Sequence, residues 1–300
     1  MSVTRASIGC VTGPSPSDVA DAVGRRTREL VTTLERLDAA ALAAPSRLPG
    51  WSRLTIACHL RYGAITLRRM TADAVAGRPT AYYPGGREAQ RPSTLVPAPG
   101  ESPADVVHSL SSEGEGLAAA WAVLGPDDWS TPVAPPRPAD GGDTAGPPPG
   151  EEPTVDLAFH GVLRLTEVEV HGSDLDVGLD RWSDTFVEVG LPFRLAGLAA
   201  RRRRPDAAPD VHARWLLRDT GGPSHLVTVA GPDVTVTTSP TGPDAPAPPQ
   251  GTAGAADLID ATAEGSAYDL LAFLLGRPAP ALVLSDPSLP ARFGATFPGP

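Results

Sequence analysis

Between Thr154 and Leu179 the chain carries His160, Arg164, Glu167, His171 and Asp174 at successive spacings of 4, 3, 4 and 3. A helix turns about 100° per residue, which gathers all five into an arc only ~80° wide. The positions beside that arc are mostly apolar: Leu157, Phe159, Leu163, Val168, Val170 and Leu175, with Val162 and Leu165 further round. Glu169 lies opposite the seam and is expected to face solvent. An ordinary surface helix has one broad polar face and one apolar stripe. A narrow polar seam in apolar surroundings belongs inside a helix bundle, where facing side chains build metal or substrate sites. The plain alternative is a narrow solvated face.

A second seam strengthens the bundle reading. Ser52, Thr55, His59, Tyr62 and Thr66 repeat the same alternation of three and four on an earlier helix. Two such seams meet each other at lower cost than either meets an apolar core. Glu167 and His171, four apart, can reach one ion from a single helix face, and His59 is the best third ligand. The alternative for Glu167 and His171 is an ion pair within the helix. His160 lies roughly 10 Å along the axis from Glu167, too far to share the ion, and is expected to face the pocket or to support it. His108, His212 and His225 are expected at the surface. Cys58 is rotated ~100° from His59 and reads as a small buried hydrophobe, and Cys10 lies in the N-terminal tail. A thiol for sulfur chemistry would therefore come from outside the chain, and a metal would lower its pKa.

The organisation follows from helix signals. Residues 1–14 read as a flexible tail. Ser15-Pro16-Ser17-Asp18 and Ser102-Pro103-Ala104-Asp105 both place a capping Ser, a first-turn Pro and an acid at a helix start. Helices are expected from there to about Ala43, over 52–75, and from 102 to Gly125-Pro126, with the seam helix as the fourth. The loop Pro79–Gly100 is expected to wall a site, and Thr131–Pro153 to be disordered. Beyond Trp182 come a helix containing Pro192 leading to Arg204, strands over 213–219, 225–230 and 233–238, a Pro/Gly-rich insert at 239–251, a helix over 267–275 and a short strand at 281–284. The fold class is α+β: an antiparallel four-helix bundle over 15–182, then a small α+β domain over 183–300.

Composition narrows the function. A net charge of −10 argues against nucleic-acid binding. The one basic run, Arg201–Arg204, reads as a helix C-terminus, where positive charge is favoured. All 25 basic residues are arginine, which excludes lysine Schiff-base chemistry and suits a GC-rich, actinobacterial genome. With two cysteines, no long apolar run and no signal-peptide pattern at the start, a cytoplasmic protein without a membrane span is expected.

Leu48-Pro49-Gly50-Trp51, with His59-Leu60 eight residues after the Trp, resembles the opening motif of the DinB-like mycothiol-dependent enzymes. Arg164-Leu-Thr-Glu167-Val-Glu-Val-His171-Gly-Ser-Asp174-Leu175 resembles the second signature of the same family, closest to the mycothiol-dependent maleylpyruvate isomerases. The resemblance implies a DinB-like bundle with a smaller, sterol-carrier-like C-terminal domain. It implies zinc on His59, Glu167 and His171, with mycothiol as cosubstrate at the open position. Leu274-Leu-Gly-Arg277 resembles the family's C-terminal Gly-Arg element and makes Arg277 a catalytic candidate for a substrate carboxylate. Trp51, Arg87, His160, Arg164 and Asp174 are the candidate pocket residues, with Tyr83-Pro84-Gly85-Gly86-Arg87 bordering it. The family also contains thiol S-transferases of detoxification and natural-product pathways. The leading expectation is therefore S-transfer or thiol exchange onto an electrophilic small molecule. Maleylpyruvate cis–trans isomerisation and a non-catalytic binding or stress-response module are the alternatives.

Overall fold

The structure, a computed structural model, describes residues 13–134, 154–204, 206–240 and 258–298. Most of the expected tail and of the loop at 131–153, Cys10, and most of the insert at 239–251 lie outside them. The chain forms two compact units, divided between Val189 and Gly190.

The first unit is helical. α1 (Pro16–Leu34) starts where the sequence signals it: the Ser15 hydroxyl accepts from the Asp18 amide, and the Asp18 carboxylate takes the Ser15 amide in return. The helix stops earlier than expected, because Asp38 caps a separate turn, α2 (Ala39–Ala43). α3 (Arg53–Val75) is capped by Ser52. The connection that follows contains α4 (Arg87–Gln90) and a 3₁₀ turn over Arg91–Leu95, neither expected from periodicity. α5 (Pro103–Ala122) repeats the capping box of α1 with Ser102 and Asp105. A two-stranded antiparallel ladder, β1 (Pro132–Val133) with β2 (Val155–Asp156), leads into α6 (Leu157–Asp174).

α1, α3, α5 and α6 make the four-helix bundle, and side-chain contacts fix their directions. Gly24 meets Ala118 while Gly114 meets Thr27, so α1 and α5 are antiparallel. Arg61 pairs with Glu101, Arg68 with Glu113, and Trp121 Nε1 donates to Thr71, so α3 and α5 run parallel. His59 pairs with Glu167, and Gly63 faces Arg164, so α3 and α6 are antiparallel. Val19 lies against Gly161 and Arg26 against Gly172, so α1 and α6 are parallel. Two of the four interfaces are thus antiparallel and two parallel. The chain must return along its whole length between α3 and α5, and the long connection at 79–100 does this.

The second unit follows the division within α7 (Asp184–Ala196), whose Pro192 is accommodated inside the helix. α8 (Leu198–Arg202), β3 (His212–Asp219), β4 (Ser224–Ala230), β5 (Asp233–Ser239), β6 (Ala261–Gly265), α9 (Ala267–Leu274), β7 (Val283–Leu284) and α10 (Leu289–Thr296) complete it. The sheet order is β5-β4-β3-β6-β7, with β3 and β6 parallel and the other pairs antiparallel. Trp215 packs with Phe293 and Phe297 at its core. β6 and α10 carry no strong period and were not expected.

Two surface expectations are corrected. Glu169 is 1% exposed, because Arg26 of α1 reaches it at 3.1 Å and the Ser183 hydroxyl donates to it at 2.5 Å. Gly172 admits the Arg26 guanidinium: a Cβ there would stand 2.9 Å from Arg26 Nη2. His225 is buried, its Nδ1 3.0 Å from Thr238 Oγ1 across the β4–β5 pair. His108 and His212 are exposed as expected. The basic run is structural in part. Arg201 donates to the carbonyls of Leu274 and Phe297, and Arg202 to those of Gly231 and Ala208.

Candidate metal centre

The two polar seams meet at one point. His59 Nε2 lies 2.6 Å from Glu167 Oε2, and His171 Nε2 lies 3.4 Å from the same oxygen. One donor atom from each residue falls within 4.8 Å of the others, the one such group of three among the described residues. In a tetrahedral site with ligand bonds of about 2.0–2.2 Å, donor atoms stand roughly 3.3–3.5 Å apart. The His171–Glu167 separation meets this, and the His59–Glu167 pair is closer because it is hydrogen-bonded. With two nitrogens, one carboxylate and no fourth donor among the described residues, the set is that of an open site rather than a closed structural one.

The backbone presents these groups deliberately. α6 ends beside the cluster, and its last carbonyls are taken up by two arginines. Arg53 Nε donates to the Leu175 carbonyl at 2.8 Å, and Arg47 donates from its amide to Asp174 and from Nη1 to Ser173. Arg47 also reaches the carboxylates of Asp176 and Asp180. Cations at a helix C-terminus suit both the dipole and the unpaired carbonyls. His171 Nδ1 lies 3.0 Å from Asp174 Oδ2, which turns Nε2 toward Glu167. Trp51, held in the turn before α3, stacks on His171 with 21° between planes and meets the edge of His59.

Electrostatics follow from this packing. Burial disfavours the Glu167 carboxylate, but His59's charge and the hydrogen bonds from both imidazoles outweigh it and hold the group well below the usual range. Burial also opposes the His171 imidazolium, yet Asp174 and Glu167 raise it to about 9. For His59 burial prevails over Glu167 and the pKa falls. A carboxylate thus sits between two imidazoles that both favour its charged form, and a cation between them meets the same three donors.

The other expected pocket residues divide. Asp174 orients His171. Arg164 is buried on the same line of α6, one turn before Glu167, against Gly63. His160 is 0% exposed, on the same face of α6 one turn before Arg164, and meets a backbone group of Ala134. Arg87 opens α4 and is half-buried. Arg277 lies in the second unit just past α9, where Nη1 donates to the Leu275 carbonyl. Cys58 is sealed, and burial pushes its thiol up to about 11.

Two residues of the Pro79–Gly100 loop, expected as a site wall, lie beside the cluster with contacts that the sequence does not specify. Arg91 places its guanidinium over the Trp51 ring at 6.0 Å, and its charge reaches His59. Tyr82 joins Tyr62 and Tyr83 in an aromatic group and lies within the field of both Glu167 and Arg164. The clustering of tyrosines with Arg91 in the 79–100 loop was the available signal, but no periodicity assigns loop residues to a target.

Comparisons agree with this architecture. Residues 23–176, just over half the chain, match the family described as "Mycothiol maleylpyruvate isomerase N-terminal domain". Two solved structures resemble the chain at 18% identity, covering 92% of it and 96% of their own chains. One is a mycothiol-dependent maleylpyruvate isomerase (TM-score 0.62), and the other a histidine-to-alanine mutant of a mycothiol-dependent maleylpyruvate isomerase (TM-score 0.63). A search of the curated proteins found no match. At this identity the solved structures carry the DinB-like fold, and the extent of the family match carries the membership: the chain belongs to the mycothiol maleylpyruvate isomerase N-terminal domain family.

Proposed function

We propose that this chain is an enzyme holding a divalent ion, zinc by its donor set, on His59, Glu167 and His171, and that it uses mycothiol as the attacking thiol. The observation that carries the reading is the meeting of those three side chains from two facing helices, with no fourth donor among the described residues. The ion's contribution is a lowered thiol pKa at its open position.

The chain's own residues do the rest. Asp174 fixes the His171 tautomer, and Trp51 covers one side of the cluster and limits water there. Tyr62, Tyr82 and Tyr83 form an aromatic wall beside Glu167. Arg277, in the second unit, is proposed as a carboxylate-binding residue by its planar fork. The thiol gives up its proton, its sulfur bonds to the electrophile's conjugated carbon, and the electron pair of the broken double bond moves to the carbonyl oxygen. Return of a proton to the α-carbon completes a thioether, whose release is S-transfer; where that carbon already carries another thiol, expulsion of that thiol instead re-forms the double bond and gives thiol exchange.

The second reading is isomerisation. Rotation within the adduct and expulsion of the thiol return it unchanged and leave the substrate cis–trans isomerised. The family's description and the solved relatives, both isomerases, favour it. Incubation of the metal-loaded protein with mycothiol and maleylpyruvate decides between them. Turnover of maleylpyruvate with the thiol conserved supports isomerisation, and stoichiometric consumption of thiol with a general electrophile supports transfer. The absence of any thiol-dependent conversion by a metal-replete protein, across a panel of conjugated electrophiles, supports a non-catalytic module.

A further inference from the structure

Three arginines are buried among the described residues: Arg26, Arg164 and Arg202. Arg26 is paired with Glu169 and Glu29 and donates to the Leu179 carbonyl. Arg202 donates to two carbonyls. Arg164 has no such acceptor. It is 1% exposed, and its Nε and Nη2 are sealed without a hydrogen bond. A guanidinium does not shed its proton at ordinary pH, so the charge remains where water has been removed. The acid nearest in the sequence on its own face, Glu167, is engaged by His59 and His171.

The surroundings hold this cation in place. Gly63 stands one helical turn after His59, as Arg164 stands one turn before Glu167 on the antiparallel partner. A Cβ at Gly63 would lie 2.8 Å from Arg164 Nη1 and 3.4 Å from the Tyr82 hydroxyl, so the two polar groups converge over a notch in α3 that glycine alone leaves open. Burial raises the Tyr82 phenol above its ordinary pKa and keeps it a neutral donor. A forked cation and a hydroxyl donor, side by side and next to the candidate metal centre, match the two oxygens of a carboxylate.

We propose that Arg164 and Tyr82 form a carboxylate-binding subsite within the bundle, positioning an anionic group of the electrophile beside the His59–Glu167–His171 cluster. This assignment rests on the proposed function for where the reaction occurs, and it is separate from the role proposed for Arg277. It restricts the electrophile to organic acids and ranks their neutral analogues as poor ligands.

The test is binding, not turnover. Succinate and its uncharged counterpart succinamide are titrated calorimetrically into metal-treated wild type, Arg164→Met, Gly63→Ala and Arg277→Met, with bound metal measured on the same samples. The expected result is tighter binding of succinate than of succinamide by wild type, a fall of about tenfold or more in succinate affinity for Arg164→Met, and a smaller fall for Gly63→Ala, whose added methyl displaces the guanidinium. Metal content is expected to stay at the wild-type level. Equal succinate affinity in wild type and Arg164→Met, or a loss confined to Arg277→Met, overturns the proposal. If Arg164→Met does not fold, Gly63→Ala decides in the same way. A wild type that takes up no metal yet still prefers succinate through Arg164 refutes the metal reading and leaves the subsite standing.

Discussion

His171 Nδ1 and Asp174 Oδ2 are 3.0 Å apart, one turn along α6, and this bond decides which nitrogen of His171 faces Glu167. Asp174 is itself buried. Ligand-orienting carboxylates of this kind contribute about 10–100-fold to metal affinity. Asp174→Asn is therefore expected to weaken zinc binding by that factor in a chelator competition while leaving the far-ultraviolet circular dichroism unchanged. Wild-type affinity in the variant would show that the bond does not orient the ligand.

Arg53 supports the same helix end from α3, accepting none of the metal chemistry itself. Its three donors reach the carbonyls of Leu175, Asp176 and Ala41. Arg53→Ala is expected to cost about 2 kcal/mol in urea unfolding, because three charge-assisted bonds to backbone carbonyls, two of them at the end of α6, are lost. A smaller drop in zinc affinity than in Asp174→Asn is expected alongside it, since His171 keeps its own partner.

The Arg26–Glu169 pair ties α1 to α6 inside the bundle at 3.1 Å, with both side chains buried. Removing one partner leaves a buried charge, which costs about 3 kcal/mol or more. Glu169→Ala is expected to lose that much in denaturant titration. The double variant Arg26→Met with Glu169→Leu is expected to recover most of it, because apolar groups of similar volume need no partner.

His160 gives a pH signature. Burial lowers its folded-state pKa to about 4 from the ordinary 6.5. Between those values the unfolded chain binds the proton and the native chain does not, so the stability it contributes is full above about 6.5 and is lost as the pH falls toward 4. The size is about 3 kcal/mol. Urea midpoints measured from pH 7 to pH 4 are expected to fall less steeply in His160→Phe than in wild type. Parallel slopes would show that the ring is not the buried neutral base described here.

Much of the site was legible because periodicity is a property of helices. The spacings of His59, Glu167 and His171 gave the facing seams, and the Ser-Pro-x-Asp starts of α1 and α5 gave their ends. The parallel pairing of α3 with α5 was not legible, because direction is set by loop length and packing rather than by the pattern within a helix. Glu169 was misassigned for a related reason. Its position opposite the seam is correct, but a helix packed on two sides buries its back, and only the three-dimensional approach of Arg26 supplies the counter-charge. His225 was misplaced because a strand-terminal His reads as exposed until the β5 neighbour Thr238 is known. β6, Ala-Thr-Ala-Glu-Gly, lacks the β-branched density that marks a strand, and its pairing with β3 makes it one. The loop residues Arg91 and Tyr82 have no period to read at all.

The central claim is tested most directly by X-ray diffraction from zinc-replete crystals, with anomalous differences collected on either side of the zinc edge. The account predicts one strong peak within about 2.0–2.2 Å of His59 Nε2, a Glu167 carboxylate oxygen and His171 Nε2. It also predicts that the peak vanishes in Glu167→Ala. A zinc-replete crystal with no peak at that position, or with the ion held by other residues, would contradict it.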